Sequence, residues 1–473
     1  MGRPPAIAAD GMVVTSNPNA TRAGLRQLER GGNAVDAAVA AAAMLCVAEP
    51  MNTGIGGDAC ALVCKPDAFY GLDATGPAPL RAEPTVPVQR RGPRSVTVPG
   101  AVAGWAELCS RFGRHGLDTC LADAIDSAEK GLAVSARSAA LWSDEIPCPP
   151  GVGPSSVAVG DVAPMPEMAR TFRRIAAEGP GAIYTGPVAR AIAEASWLSL
   201  EDLALFRPRW VTPLRASYRG FTVLELPPPT QGIAALEGLL LLEGLEPSLV
   251  NQVQCVKLAL DDAQSHVHDG ADVGPLLDPR YIRLRRSEAA RPVGPFGGGT
   301  SHVCAIDGDG LGVSLIESLF HSYGSGVVAG GTGVVLQNRG ACFAVQGRVV
   351  PGQRPFHTII PAMMAVDDRL VAAFGVVGGH LQAQAHIQLV SALADDGLDP
   401  QAALDRPRFR VAGDVVRLEE GLWPEVALLQ AAGHHAVPSS DWTEFGCGQL
   451  ATVYGNILLG ASDPRMDGYA AGI

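Results

Sequence analysis

Gly297-Gly298-Gly299-Thr300-Ser301-His302, running on into Val303-Cys304-Ala305-Ile306-Asp307, is the stretch on which the reading of this chain depends. Three glycines leave the backbone before Thr300 open to close approach. The β-branched residues and the alternation after it favour a half-buried strand. Such a junction suits a chain that cuts itself. The Thr300 hydroxyl would attack the carbonyl of Gly299, shift the acyl group from nitrogen to oxygen, and release a free α-amine on Thr300. That residue then holds both nucleophile and base, because an α-amine with a pKa near ~8 is partly neutral at neutral pH. A glycine run alone is most often a loop, so the rest of the chain has to decide.

Upstream, Arg285–Gly299 is rich in Arg, Pro, Gly and Ser and reads as an exposed connector, consistent with a processed tail. Downstream, strands are expected at Ser301–Ile306, Val313–Ile316, Thr332–Leu336, Met363–Val366 and Val371–Val376, with helices near Gln382–Leu393 and Pro400–Leu404. In the first half, a strand at Gly11–Thr15 precedes cap residues Ser16 and Asn17 and a helix to Glu29. Asn33 opens a second helix of small residues. Gly54-Ile55-Gly56-Gly57 leads into a strand at Ala59–Val63. With no Lys-Ser/Thr after it and a strand rather than a helix following, it is a tight turn beside a crowded site and not a phosphate loop. From Leu117 to Ile192 the pattern is mainly helical. A strand pair lies around Arg215–Glu225, and helices at Ile233–Leu242 and Val253–His268. Two strand-rich layers flanked by helices predict a four-layer αββα sandwich.

Composition narrows the classes. The chain has 473 residues, 47% of them apolar and 18% charged, enough for a large buried core. A net charge of −12 without basic, aromatic-laced clusters argues against a nucleic-acid face. The start, Met1-Gly2-Arg3-Pro4-Pro5, has no leader pattern. The apolar runs are too short to span a membrane. Ten scattered cysteines without CxxC pairs read as buried free thiols of a cytoplasmic protein, Cys60 and Cys64 sharing one strand face.

Read together, the chain resembles the γ-glutamyltransferase (γ-glutamyltranspeptidase) family of N-terminal nucleophile hydrolases. The resemblance runs nearly end to end, through Gly31-Gly32-Asn33-Ala34-Val35-Asp36-Ala37, Gly54-Ile55-Gly56-Gly57, Val98-Pro99-Gly100, Tyr218-Arg219-Gly220, Pro227-Pro228-Pro229, Thr300-Ser301-His302, Gly324-Ser325-Gly326 and Gly378-Gly379. It implies a proenzyme cut between Gly299 and Thr300. A heavy chain 1–299 and a light chain 300–473 would then share one αββα unit. It further implies Thr300 as nucleophile, Ser318 as a hydroxyl bonded to it, and Gly378 and Gly379 as oxyanion-hole donors. The family chemistry needs neither metal nor cofactor, and a homo-oligomer is left open.

The departures from the family pattern concern substrate binding. Thr75 stands where an arginine holds the glutamyl carboxylate, Phe320 where an asparagine belongs, Cys342 in place of the aspartate that holds the ammonium, and His357-Thr358 in place of a serine pair. The lid loop between Phe343 and Arg354 is missing. A zwitterionic glutamyl head would lose the partners of both its charges. Arg339 and His357 are candidates for a different anion site, with His321, His380 and His386 behind them. The pattern is similar to a divergent, lidless branch of the family. It implies a Thr-nucleophile hydrolase or acyltransferase acting on an amide or acyl bond of a small carboxylate-bearing molecule. A γ-glutamyl enzyme with a rebuilt clamp, a carbon–carbon hydrolase of an alkyl-proline antibiotic pathway, and a non-cleaving scaffold are the alternatives.

Overall fold

The computed structural model describes residues 3–66, 68–85, 87–294 and 297–473. Met1, Gly2, Pro295 and Phe296, which belong to the expected start and connector, lie outside the described residues. Two seven-stranded sheets stack face to face. One runs Tyr469–Gly472, Gly11–Thr15, Gly299–Asp307, Gly312–Phe320, Asp58–Lys65, Ala68–Ala74, Arg209–Val211; the other runs Ala6–Ala8, Ile457–Ser462, Cys447–Tyr454, Arg369–Val377, Ala362–Val366, Phe221–Glu225, Leu214–Tyr218. Every neighbouring pair in both sheets is antiparallel.

The period of two along the strands creates three cores. Met12, Val14, Cys60, Leu62, Cys64, Cys304 and Ile306 meet Leu224, Met363, Ala365 and Ala373 between the sheets. Their sequence neighbours Val13, Ala61, Val63, Val303 and Ala305 face the helices on one outer side, and Val223, Met364, Ala372 and Phe374 face those on the other. The four-layer sandwich is therefore present, as an α+β arrangement, and residues on both sides of Thr300 contribute strands to both sheets.

The first outer layer is built on the helix Ala34–Ala48, buried along its whole length. Its alanines permit close approach to the sheet. Asn33 and Asp36 close a capping box at its start, and Asp36 also accepts from the Arg114 and His115 amides. On the other side lie Gly232–Leu242, Leu249–His266 and Leu381–Ala394.

Several elements differ from expectation. Only Val334–Val335 is strand in the 332–336 region, because Gly331 and Gly333 take positive φ and turn the chain. Leu132–Ala133 and Val162–Ala163 pair as a small ribbon inside the mainly helical stretch. The connector is tethered at its start: Arg285 is buried and bonds Asp261 and Asp262, and Val293 bridges to Gly413. All ten cysteines are buried, and no disulfide joins them. No described helix is long and apolar enough to cross a membrane.

Candidate active site

Thr300 lies at an irregularity in its strand. Gly299 pairs with Phe320 but Ser301 pairs with Glu317, so the facing strand holds one extra residue opposite Thr300. Bulges of this kind re-aim side chains. Here the distortion brings Ser318 to the peptide that precedes Thr300. Thr300 Oγ1 donates to Ser318 Oγ at 3.3 Å, and Ser318 Oγ donates to the Gly299 carbonyl at 2.7 Å. Ser318 Oγ also accepts from the Phe320 amide at 2.8 Å and from Arg339 Nη2 at 3.0 Å. A hydroxyl oxygen has two lone pairs. The two shorter donors fill them, so the Thr300 contact is the weakest of the set and leaves the Thr300 proton free to move.

Gly57 explains the crowding read from its glycine run. A Cβ there would sit 2.6 Å from the Ser318 carbonyl oxygen, and one at Gly56 only 2.1 Å from that of Val335. The turn is thus pressed against the backbone that carries Ser318.

Thr300 opens onto a cavity of about 250 Å³ whose wall also includes Gly299, Gly378, Glu49, Asn52, Arg410 and Trp442. Gly378 and Gly379 follow the strand Arg369–Val377 and precede the helix Leu381–Ala394. Both have positive φ, 129° and 66°, a conformation open to glycine. Their carbonyls accept from the first helical amides, Leu381 and Gln382, while their own amides have no hydrogen-bond partner among the described residues. Gln231 Nε2 holds this turn through the Gly379 carbonyl at 2.9 Å and bonds the Thr358 carbonyl at 2.7 Å.

The remaining expected residues divide into two groups, and only one adjoins Ser318. Arg339 is fully buried. Its Nη1 donates to Thr358 Oγ1 at 2.9 Å and lies 3.9 Å from Cys342 Sγ, and its guanidinium stacks 4.3 Å from the Phe320 ring. Phe320 takes a positive φ of 79° at the strand end, uncommon for a bulky residue. It lines a second cavity with His321, and that cavity shares Gly297 and Glu145 with the first. Behind Arg339, His357 Nε2 meets Asp58 Oδ2 at 2.9 Å. The Ile359 amide points to His357 Nδ1, so Nε2 carries the proton and donates to Asp58. Burial, aided by the Arg339 and Arg354 charges, keeps that imidazole neutral. Burial pushes the Asp58 carboxyl up to about 7, against the pull of Arg339 and of donors from Gln337 and Gly76.

Thr75 is not part of the wall of the Thr300 cavity. Its hydroxyl donates to Asp73 at 2.5 Å, and its carbonyl accepts from Arg354, which also pairs with Asp73. His386 is used in the core by Glu225 and the Val376 amide, and His380 packs edge-on against Phe356.

The sequence reading did not single out Glu49 or Arg410. Glu49 accepts from Ser16, Ser301 and Asn52, and burial raises its pKa despite those donors. A Glu at a helix end and an Arg in an ordinary alternating strand carry no local signal. Only the fold brings them to Thr300.

The gamma-glutamyltranspeptidase family profile matches residues 20–473. The structure is similar to that of a cephalosporin acylase from Bacillus halodurans, with a TM-score of 0.93 and 36% identity, covering 100% of this chain and 97% of that one. It is 32% identical to the oxamate amidohydrolase proenzyme of Klebsiella pneumoniae over 98% of this chain and 99% of that one. The glutathione hydrolase-like YwrD proenzyme of Bacillus subtilis is 31% identical over 99% of each. With a family match over nearly the whole chain and relatives that are themselves hydrolase proenzymes, the protein is an enzyme of the N-terminal nucleophile hydrolase kind and belongs to the gamma-glutamyltranspeptidase family.

Proposed function

We propose that the protein is a self-processing threonine hydrolase that cleaves an amide or acyl bond of a small carboxylate-bearing molecule. The observation that carries this reading is the single hydroxyl of Ser318, which contacts both the Thr300 hydroxyl and the carbonyl of the peptide that Thr300 would attack. In the precursor, donation from Ser318 polarises the Gly299 carbonyl. Thr300 Oγ adds to that carbon, the C–N bond breaks, and water releases the Gly299 carboxylate. The products are a heavy chain 1–299 and a light chain 300–473.

In the mature site the freed Thr300 amine takes the hydroxyl proton as Oγ attacks the substrate carbonyl. The oxyanion forms against the amides of Gly378 and Gly379, where one such donor is worth ~3 kcal/mol of barrier. The same amine returns its proton to the departing nitrogen, and water then hydrolyses the ester on Thr300. Two of the relatives are named for amide-cleaving activities, on oxamate and on cephalosporins. This supports an amide substrate, and in the first case a small carboxylate. Thr75, turned onto Asp73, offers no cation for a glutamyl carboxylate, which favours hydrolysis of another acid over glutamyl transfer.

Intact-mass analysis of the wild type beside Thr300→Ala tests the reading. Two fragments are expected, the smaller beginning at Thr300, with the variant uncut. A wild-type chain that stays whole, or a variant that is cut at the same place, overturns it.

A further inference from the structure

The Thr300 cavity contains a cation, Arg410, that makes no ion pair among the described residues. Arg410 belongs to the strand Phe409–Ala412 of a small three-stranded sheet, whose alternate residues Phe409 and Val411 are buried in the outer core. Arg410 therefore projects from the opposite face, and it lines the same cavity as Thr300 and Gly378. Its guanidinium makes one hydrogen bond within the described residues, from Nη1 to the Glu444 carbonyl at 3.2 Å.

Glu49, Asp144 and Glu145 also line the cavity, and the two acids whose charges act on Arg410, Glu444 and Asp441, each have other partners. The Glu444 carboxylate is held by Arg417 Nε at 3.3 Å and by Ser439 at 2.6 Å. Asp441 Oδ1 accepts from the amide and the hydroxyl of Thr443. Among the described residues no carboxylate lies within 4.0 Å of Arg410. Two residues earlier, Arg408 shows the contrast: it pairs with Asp463 at 2.6 Å. Burial disfavours the charge of Arg410, yet an arginine stays protonated at neutral pH. A partly desolvated guanidinium with most of its fork unoccupied, facing a cavity of small-molecule size, is suited to a planar two-oxygen anion.

We infer that Arg410 is the carboxylate-binding subsite of the Thr300 cavity and selects substrates that carry an anionic carboxylate beside the scissile bond. This rests on the Thr300 reading for its catalytic meaning, whereas binding at Arg410 is measurable without it. The anchor lies in the small three-stranded sheet, whereas Thr75, the position expected from the glutamyl clamp, follows the end of the strand Ala68–Ala74 in a main sheet, so the carboxylate would approach Thr300 from another wall of the site.

The test compares two probes of equal size, the monoanion succinamate and its neutral analogue succinamide, titrated calorimetrically into the purified enzyme at low salt. The wild type should bind succinamate about tenfold or more tighter, as expected for a hydrogen-bonded charge pair, and Arg410→Gln should abolish that preference. Intact mass of the variant shows whether it folds and processes. If the variant does not fold, phenylglyoxal labelling of Arg410 in the wild type, read by peptide mass mapping, gives the answer. Succinamate should slow the labelling and succinamide should not. A wild type without preference, a variant that keeps it, or labelling indifferent to both probes overturns the inference. Failure of the Thr300 reading shows separately, as an absent cut.

Discussion

At the scale of single residues, Ser318 is the most informative side chain. Its hydroxyl accepts from two fixed donors and gives its proton to the Gly299 carbonyl, and in the proposed mechanism that geometry suits it better to polarising the Gly299 carbonyl than to activating Thr300. Ser318→Ala should therefore slow appearance of the Thr300 fragment by about a hundredfold, the cost of losing one oxyanion-type donor. A time course of cleavage by denaturing gel checks it, and an unchanged rate would remove Ser318 from the processing step. Thr300 stands out in the sequence because a glycine run ends on it, and Gly378 only through the resemblance to the family; the fold brings the two to one cavity. Arg410 was not legible there, since Arg408-Phe409-Arg410 reads as any strand with alternating exposure. Cys342 and Thr358 were legible as positions, yet what they do depends on Arg339, whose guanidinium reaches both.

Among the elements, the turn at Gly54–Gly57 and the strand Gly312–Phe320 work as one unit. Gly57 has no room for a methyl group because the Ser318 carbonyl occupies that space at 2.6 Å, and its own carbonyl accepts from the Gly100 and Ala101 amides. Backbone faces it on both sides, so no flexible side chain can yield. Gly57→Ala should cost about 1–3 kcal/mol, the range for overpacking, and displace Ser318 enough to slow processing. Urea unfolding together with the cleavage time course measures both, and a variant of native stability and rate would refute the packing argument. The helix and strand pattern on both sides of this unit was readable because it repeats with periods of 3.6 and 2. The short ribbon of Leu132–Ala133 with Val162–Ala163, and the tethering of Arg285 by Asp261 and Asp262, were not. Both depend on residues about 30 and 24 positions away, outside any local window.

For the whole molecule, the sandwich buries acids between and behind its layers, and this gives stability a direction in pH. Burial raises Glu317 to about 8, against donors that include Trp105, and raises Asp58 to about 7. Both values lie above the ordinary carboxyl range near ~4. The folded state therefore holds these two protons more tightly than the unfolded chain. Their contribution to stability is complete below about pH 4 and is lost as pH rises to about 7 and about 8, at up to about 1.4 kcal/mol per pH unit for each group. Asp463 acts in the opposite sense: burial would raise it, but the Arg408 and Arg465 charges prevail and hold it low. Its contribution is lost as pH falls through the acid range. Glu317→Gln keeps an oxygen to accept from Trp105 but removes the proton that titrates. Across pH 5 to 8 the wild type should lose more denaturant resistance than the variant, and above pH 8 the two slopes should converge. Unfolding midpoints measured at half-unit steps decide it. Parallel curves throughout would mean that Glu317 is ionised in the folded protein, and that the space between its strand and the helices Ala34–Ala48 and Ala101–Phe112 is wetter than the packing implies.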